Sequence, residues 1–371
     1  MKNTAKISLF FLLIGIICSS TILKFVLSNL DTNPEEDLLN PGTFTLFEKV
    51  DDRLIHCKDS RDIKECLDRN SDSKMKFSSL WLGNSQIHAI NQYKKGQAGS
   101  PSILFNLLKR DSIDLITMSF GNANIQEHAV QFAYIIEQIK LKHVVIGLVF
   151  DDTREDGIRE DVFKLILNSP ETRKQIESFP IGQELINKEI SSNQHENFEN
   201  ENDKNLQKKI EPILDDALKS ISYVWELRNE IAYHYFVGLR SIRNYIFNIT
   251  PSTVRKIIPE SYKRNIESLE MMMQLASKNN IKMIPYIAPI RSDIKIPYIE
   301  NEYSRFKNDV KEMSKRYDNV QFENLENIID GDFWGLKNST TLSEDLELDF
   351  MHFTAKGHEI LADSLYKILH N

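Results

Sequence analysis

Short apolar segments alternate with amphipathic helical segments over most of the chain beyond Phe77. Residues 80–82, 113–119 and 144–150 have the composition of buried strands, and residues 127–140 have the spacing of an amphipathic helix. Because such alternation is typical of a parallel sheet covered on both faces, we predict a doubly wound α/β fold, a three-layer sandwich flanked by helices. Ligands of such sheets bind outside the carboxyl ends of the strands.

The pattern returns after a large helical insertion at about residues 161–278. Residues 187–205 are rich in Asn and Glu and predict a mobile loop, and residues 210–227 and 231–247 predict helices with several aromatic side chains. A helix at 262–277 and strands at 281–287 and 319–322 then complete the sheet. We therefore predict one α/β domain over residues 77–371.

An uncharged, mostly apolar run extends from Ile7 to Leu23 and follows Lys2 and Lys6. Its length lies between a secretory signal and a spanning helix, so residues 1–28 are either a transmembrane anchor or a cleaved signal segment. Basic residues before the run keep the N-terminus cytoplasmic. We predict a single-pass membrane protein whose main domain is periplasmic or on the cell surface, and a secreted protein if the segment is cleaved.

The segment 29–76 is polar and contains Pro34 and Pro41, which predicts a stalk and a small N-terminal cap. Cys57 and Cys66 form either a disulfide or, with His56, part of a metal site. Two thiols without a second pair favour the disulfide in an oxidising compartment, and we predict no metal site.

The charge balance argues against a nucleic-acid partner. The chain has 46 Lys and Arg against 54 Asp and Glu, a formal net charge of −8. Nucleic-acid binding relies on clustered cationic side chains, so we exclude this class of partner.

Two motifs, one early and one late in the chain, carry residues suited to nucleophilic catalysis. Gly83-Asn84-Ser85 follows a predicted buried strand, and a tight turn there exposes a serine hydroxyl. Asp349 precedes His352 by three residues, a spacing that lets the carboxylate hold one imidazole nitrogen while the other accepts a proton. Taken alone, the late motif favours a solvated loop before a terminal helix whose N-cap is Thr354, because this spacing of Asp and His is common.

Together the two motifs resemble the SGNH, or GDSL-type, hydrolase superfamily. The resemblance implies that Ser85 is the nucleophile, His352 the base and Asp349 the acid that orients it, with no cofactor. Asn84 stands where the superfamily usually has Asp.

The resemblance also implies donors for an oxyanion. Gly121, after the second strand, matches the glycine that lends a backbone N–H. The third strand is followed by Asp151-Asp152 rather than the usual Asn, so either Asn122 or Asn124 replaces that donor, the hole has two donors, or the catalytic interpretation is wrong. A solvated acidic loop is the simplest interpretation of residues 151–156. Arg291, after the strand at 281–287, is a predicted substrate contact.

An N-terminal anchor combined with these motifs resembles the accessory proteins of cell-envelope O-acylation, of the D-alanylation and alginate-acetylation types. Those proteins work beside multipass membrane-bound O-acyltransferases. The resemblance implies an extracytoplasmic serine esterase or O-acyltransferase that acts on an acylated glycan or lipid. The alternatives are a non-catalytic scaffold that partners such an acyltransferase and a secreted lipase.

Overall fold

The computed structural model describes residues 43–51, 53–57, 63–71, 75, 77–196, 239, 242–247, 249–250, 253–338 and 346–370. The predicted membrane segment 1–28, the helix at 210–227 and most of that at 231–247 lie outside these residues. One compact unit comprises residues 39–193, 250–339 and 344–371, and a second comprises 1–38, 194–249 and 340–343. Among the described helices, none combines the length and apolar character needed to cross a membrane.

Six parallel strands form the central sheet of the first unit. They are β4 (His56–Cys57), β5 (Phe77–Gly83), β7 (Ile113–Ser119), β8 (Leu141–Leu148), β9 (Lys282–Ile287) and β10 (Glu323–Asn324). Their order across the sheet is β10-β9-β8-β5-β7-β4, and every described pair in it is parallel. The predicted parallel α/β sheet is confirmed. Apart from β4 at the edge, this is a doubly wound order whose direction reverses between β5 and β8.

The remaining strands form three antiparallel pairs. They are β1 (Phe44–Thr45) with β6 (Ala89–Ile90), β2 (Lys49–Val50) with β3 (Arg53–Leu54), and β11 (Trp334–Asn338) with β12 (Leu346–Phe353). The last pair corrects the prediction of a loop around Asp349 and His352, because both residues lie on β12. The stretch Leu-Glu-Leu-Asp-Phe alternates apolar and acidic side chains, which is the period of a strand.

Ten α-helices of the described part of the chain have both ends within it. They are α1 (Ile63–Ser71), α2 (Ser85–His88), α3 (Ser100–Lys109), α4 (Ile125–Gln138), α5 (Glu160–Asn168), α6 (Pro170–Glu177), α7 (Pro180–Glu196), α8 (Pro259–Lys278), α9 (Glu300–Ser314) and α10 (Ala355–His370). Thr354 immediately precedes α10, and its hydroxyl donates to the Phe333 carbonyl oxygen at 3.0 Å.

Helices cover both faces of the sheet because successive residues of its strands point in opposite directions. Leu82 of β5 packs in one apolar cluster with Phe132 of α4 and Met272 of α8. Trp81 packs in the opposite cluster with Phe105 of α3 and with α10. Since α8 belongs to the first cluster, the end of the predicted insertion is part of the layer that covers the sheet.

A disulfide joins Cys57 of β4 to Cys66 of α1, with Cα atoms 6.3 Å apart. Between the two alternatives drawn from the sequence, the structure therefore has the disulfide. The bond links the edge strand of the sheet to the helix that follows it, and both sulfur-bearing residues are buried.

Gly147 of β8 allows a close approach of Tyr286 of β9. A Cβ atom at Gly147 would lie 2.5 Å from the Tyr286 hydroxyl oxygen, and that hydroxyl accepts a 3.2 Å hydrogen bond from Trp81 Nε1. We expect Gly147→Ala to lower the free energy of unfolding by about 1–3 kcal/mol, because overpacking displaces Tyr286. Urea unfolding followed by tryptophan fluorescence measures the change.

Gly121→Ala is the matched control for this prediction. A Cβ at Gly121 meets no heavy atom within 4 Å, so we expect a change within about 0.5 kcal/mol. Equal stabilities of the two variants would contradict the packing argument.

Candidate active site

The turn after β5 presents Ser85 at the carboxyl edge of the sheet. Asn84 precedes the four-residue helix α2, and its Oδ1 accepts a 3.0 Å hydrogen bond from the backbone N–H of Gln86. Side-chain capping of this kind stabilises a helix start. A Cβ at Gly83 would overlap the Ile87 side chain, so the tight turn requires glycine. Ser85 therefore occupies the first position of a helix beside the point where the strand order reverses.

Ser85, His352 and Asp349 form a continuous hydrogen-bonded series. Ser85 Oγ lies 3.0 Å from His352 Nε2, and His352 Nδ1 lies 3.0 Å from Asp349 Oδ2. These distances are those that a general base and its orienting acid require. The structure thus brings together the three residues that the sequence motifs single out.

Asp349 is almost fully buried and keeps its charge. Its Oδ1 accepts the backbone N–H groups of Met351 at 2.8 Å and His352 at 3.2 Å, and Asn91 Nδ2 donates to Oδ2 at 3.3 Å. Burial raises the pKa of Asp349, but the His352 charge and these hydrogen bonds outweigh it and leave the pKa at about 2. The carboxylate is therefore ionised at neutral pH and can hold the Nδ1–H of His352.

Gln86 joins α2, the helix that begins at Ser85, to β12, the strand that carries His352. Its Nε2 donates to the backbone carbonyl oxygens of Pro289 at 2.8 Å and Met351 at 3.0 Å. Because Gln86 and Met351 each adjoin a member of the triad, this side chain sets the spacing between Ser85 and His352. Sequence reasoning missed this role, since a glutamine after a serine carries no recognisable signal.

Arg291 follows β9, but its side chain is buried and does not face the solvent. It is 6% exposed, pairs with Asp293 at 2.7 Å, and donates to the carbonyl oxygens of Gly335 at 2.9 Å and Asp349 at 3.3 Å. The prediction of a substrate contact is not supported, because burial and these bonds direct the guanidinium to the backbone of β11 and β12. Arg291 holds the strand that carries the triad acid.

The loop after β7 brings Gly121 and Asn122 to the same edge of the sheet. The Phe120 N–H donates to the Gly83 carbonyl oxygen at 3.3 Å, which joins this loop to the nucleophile turn. Neither backbone strain nor crowding requires glycine at position 121, where a side chain would enter open space. Asn122 is exposed and left-handed, with φ +55°. Both residues remain predicted oxyanion donors.

Asn124 caps a helix. Its Oδ1 accepts the Glu127 N–H at 2.9 Å, and its Nδ2 donates to the Gly157 carbonyl oxygen at 2.8 Å. These contacts account for both ends of the amide, so the predicted role as an oxyanion donor has no support. The signal was present in the sequence, because Asn followed three residues later by Glu is a capping box.

Two buried histidines hold the end of β7 against α2. Ser119 Oγ lies 2.6 Å from His56 Nε2 and 2.7 Å from His88 Nδ1. Burial lowers the pKa of His56 to about 3 and that of His88 well below its usual range, so both rings are neutral at pH 7. The cluster connects the disulfide-bonded strand β4, the loop of Gly121 and the nucleophile helix.

The two acids after β8 differ from the solvated loop that the sequence predicted. Asp152 is 4% exposed and accepts hydrogen bonds from the Val149 N–H at 3.0 Å and from Asn84 Nδ2 at 3.1 Å. Burial raises its pKa to about 8 despite these bonds, and the charges of Asp151 and Glu155 act in the same direction. Asp152 is therefore mostly protonated at neutral pH, and its carboxyl group contacts Asn84, the residue before Ser85.

Asp151 faces two cations instead. Its carboxylate lies 3.2 Å from Arg154 Nη1 and 2.6 Å from Arg255 Nη1, and it accepts the Tyr298 hydroxyl at 3.1 Å. Arg159 pairs with Glu127 instead. Asp151 is thus an ionic anchor at the position where the resemblance implies an amide donor.

Residues 189–365 match the family model described as GDSL-like Lipase/Acylhydrolase. The match supports the GDSL-type part of the resemblance drawn from the motifs and does not extend to the accessory proteins of envelope O-acylation. It spans just under half of the chain and includes Asp349 and His352 but not Ser85, so the assignment of the serine rests on geometry. No curated protein sequence matches the chain.

Two solved structures are similar to this chain at a low level. A candidate acylhydrolase from Bacteroides fragilis NCTC 9343 has 11% identity and a TM-score of 0.38, covering 85% of this chain and 98% of that one. A protein from Streptococcus pneumoniae described as a candidate platelet activating factor has 9% identity and a TM-score of 0.37, covering 84% and 92%.

The protonated state of Asp152 predicts a pH dependence of stability. With a raised pKa in the folded state, Asp152 retains a proton that the unfolded chain releases above about pH 4. Its contribution to the free energy of unfolding is therefore complete at low pH and is lost as the pH rises towards 8. We expect wild type to lose stability relative to Asp152→Asn over this interval, by up to about 1.4 kcal/mol per pH unit.

Urea unfolding at half-unit pH steps measures this difference. Asp363→Asn, which removes an exposed carboxylate of α10, is the control and should follow wild type. Parallel curves for wild type and Asp152→Asn would show that Asp152 is ionised in the folded protein.

Proposed function

We propose that this protein is an extracytoplasmic serine esterase or O-acyltransferase that acts on acyl esters of a cell-envelope glycan or lipid. The observation that carries the proposal is the relay from Ser85 through His352 to the buried carboxylate of Asp349. The match to the acylhydrolase family supports ester chemistry.

In the proposed reaction Ser85 Oγ attacks the ester carbonyl carbon while His352 Nε2 takes the hydroxyl proton. Asp349 holds the Nδ1–H and stabilises the imidazolium. His352 then gives the proton to the leaving alcohol as the C–O bond breaks, which leaves an acyl group on Ser85. His352 then takes a proton from water or a sugar hydroxyl, and the oxygen of this acceptor attacks the acyl carbon. As the bond from the acyl carbon to Ser85 Oγ breaks, His352 returns the proton to Oγ. Hydrolysis and transfer differ only in this second acceptor.

The tetrahedral intermediate carries an oxyanion that needs preorganised donors. The backbone N–H groups of Ser85 and Gly121 are assigned this role. The first N–H groups of a helix have no intrahelical acceptor, which leaves that of Ser85, at the start of α2, available. Gly121 would contribute its N–H from the loop after β7. Asp151 cannot donate while it is ionised and bound to two arginines. Because each donor is worth roughly 3–4 kcal/mol of transition-state stabilisation, a hole with two donors favours slow or partner-assisted chemistry.

The proposed location of the protein is outside the cytoplasm, and its proposed partner is a membrane enzyme. The disulfide between Cys57 and Cys66 supports an oxidising compartment. The apolar run at residues 7–23 supports attachment to a membrane, or secretion if it is cleaved. A multipass membrane-bound O-acyltransferase is the proposed partner, because a membrane-attached domain can then receive or deliver acyl groups at the membrane surface.

A second candidate function is a non-catalytic scaffold for such an acyltransferase. It is favoured by one observation: the position of the expected amide donor is taken by Asp151 in its pair of ionic contacts. A scaffold would keep the fold and the binding surface without an activated serine.

Labelling with a fluorophosphonate probe separates these candidates. We expect the probe to label wild type, and Ser85→Ala and His352→Ala to lose the label, because only a serine activated by a base reacts rapidly. Ser191→Ala, which removes an exposed serine of α7, is the control and should retain it. A folded wild-type protein that does not react would favour the scaffold.

Replacement of Asp349 tests the role of the buried acid. We expect Asp349→Asn to lower kcat for a 4-nitrophenyl ester by about 10³–10⁴-fold, because an amide cannot stabilise the imidazolium. KM should change little, since Asp349 does not reach the substrate. A loss of less than tenfold in a variant with wild-type circular dichroism would contradict this role.

A further inference from the structure

One carboxylate serves two guanidinium groups at the carboxyl end of β8. Asp151 accepts one hydrogen bond from Arg154, one from Arg255 and a third from the Tyr298 hydroxyl. The side chains of Asp151, Arg154 and Arg255 are each 26% exposed, so solvent and small ligands can reach them. We call Arg154 and Arg255 the arginine pair.

The arginine pair lies next to two elements of the site. Asp151 precedes Asp152, whose carboxyl group contacts Asn84 beside the nucleophile. On the other side, the Arg255 guanidinium carbon lies 4.8 Å from the centre of the Phe350 ring, and Phe350 follows the triad acid. The pair is therefore at the edge of the sheet where a substrate of Ser85 must bind.

Asp151 differs from the carboxylates that hold two other arginines of this edge. Arg159 forms two bonds to Glu127, and Arg291 forms two to Asp293. Asp151 instead divides its oxygens between Arg154 and Arg255, with one bond to each. Among the contacts of the described residues, each guanidinium therefore keeps N–H donors that no carboxylate occupies.

We propose that the arginine pair binds an anionic group of the substrate, a carboxylate or a phosphate, while the ester is held at Ser85. A guanidinium presents its donors as a planar fork that matches these anions, and Asp151 holds both forks in position before the ligand arrives. The inference rests on the proposed function, and it narrows the substrate class to esters that carry a negative charge near the reacting carbonyl.

A purely structural role is the competing explanation. Arg154 Nε donates to the Lys256 carbonyl oxygen at 2.9 Å, so the arginine pair also attaches residues 254–256 to the end of β8. If the role is purely structural, loss of an arginine should change kcat/KM equally for neutral and anionic esters. If the pair binds an anion, the same loss should lower kcat/KM mainly for anionic esters.

Matched esters distinguish the two explanations. On the acyl side, 4-nitrophenyl butyrate is compared with 4-nitrophenyl hemisuccinate, which adds a terminal carboxylate and keeps the leaving group. On the alcohol side, phenyl acetate is compared with 4-acetoxyphenyl phosphate. In at least one series, we expect Arg154→Gln and Arg255→Gln to lower the charged-to-neutral ratio of kcat/KM about tenfold, through KM.

Arg305→Gln is the matched control, because Arg305 is an exposed residue of α9 whose ion pair is with Asp309 of the same helix. This substitution should leave both ratios unchanged. Arg255→Lys keeps the charge and should retain part of the preference. Increasing ionic strength should reduce the preference of wild type. Unchanged ratios in both series of folded arginine variants would overturn the anion site while leaving the esterase proposal intact.

If wild type hydrolyses none of the four esters, the esterase part of the proposed function fails, and direct binding decides the anion site. Titration of the full chain with inorganic phosphate is followed through the side-chain Nε–H signals in ¹H–¹⁵N spectra. Saturable shifts confined to Arg154 and Arg255, with Arg305 unaffected, would support the site. Absence of such shifts at both arginines would overturn it.

Discussion

The hydrogen bond between Ser85 Oγ and His352 Nε2 joins residues that are 267 positions apart in the chain. Its 3.0 Å length depends on the separation between the end of β5 and the strand β12. Gln86 sets that separation from the nucleophile side, and Arg291 holds the backbone of β12 from the other side. The polar side chains around Ser85, His352 and Asp349 therefore act mainly by positioning backbone, which places the geometry of these three residues under the control of residues outside the relay.

The parallel sheet gives these contacts a common edge. The strands β5, β7 and β8 end beside one another, so the turns that follow them carry Ser85, Gly121 and Asp151 to the same side of the molecule. Two apolar layers hold the strands in register, and the close contact of Gly147 with Tyr286 shows how tightly neighbouring strands pack. Rigid strands with short turns at their carboxyl ends hold polar groups in fixed positions, as preorganised catalysis requires.

Two consecutive acids illustrate how environment decides chemical role. Asp152 is buried against Asn84, and its pKa is raised to about 8, so it supports the nucleophile turn as a mostly neutral group. Asp151 points to solvent-accessible arginines and carries a negative charge into an ionic cluster. A carboxyl group in place of the Asn84 amide would stand against the carboxyl group of Asp152. The amide at position 84, which donates to Asp152, is therefore compatible with the burial of that acid.

The sequence by itself determined the alternation of strands and helices and named Ser85, Asp349 and His352. Both inferences rest on local properties, the period of apolar residues and the residue types at short spacing. The alternative of Asn124 as an oxyanion donor and the prediction of Arg291 as a substrate contact find no support in the contacts of these side chains, because the sequence alone does not show their partners. Only the tertiary structure decided which polar groups are buried, which are paired and which face solvent, since those properties depend on partners from strands distant in sequence.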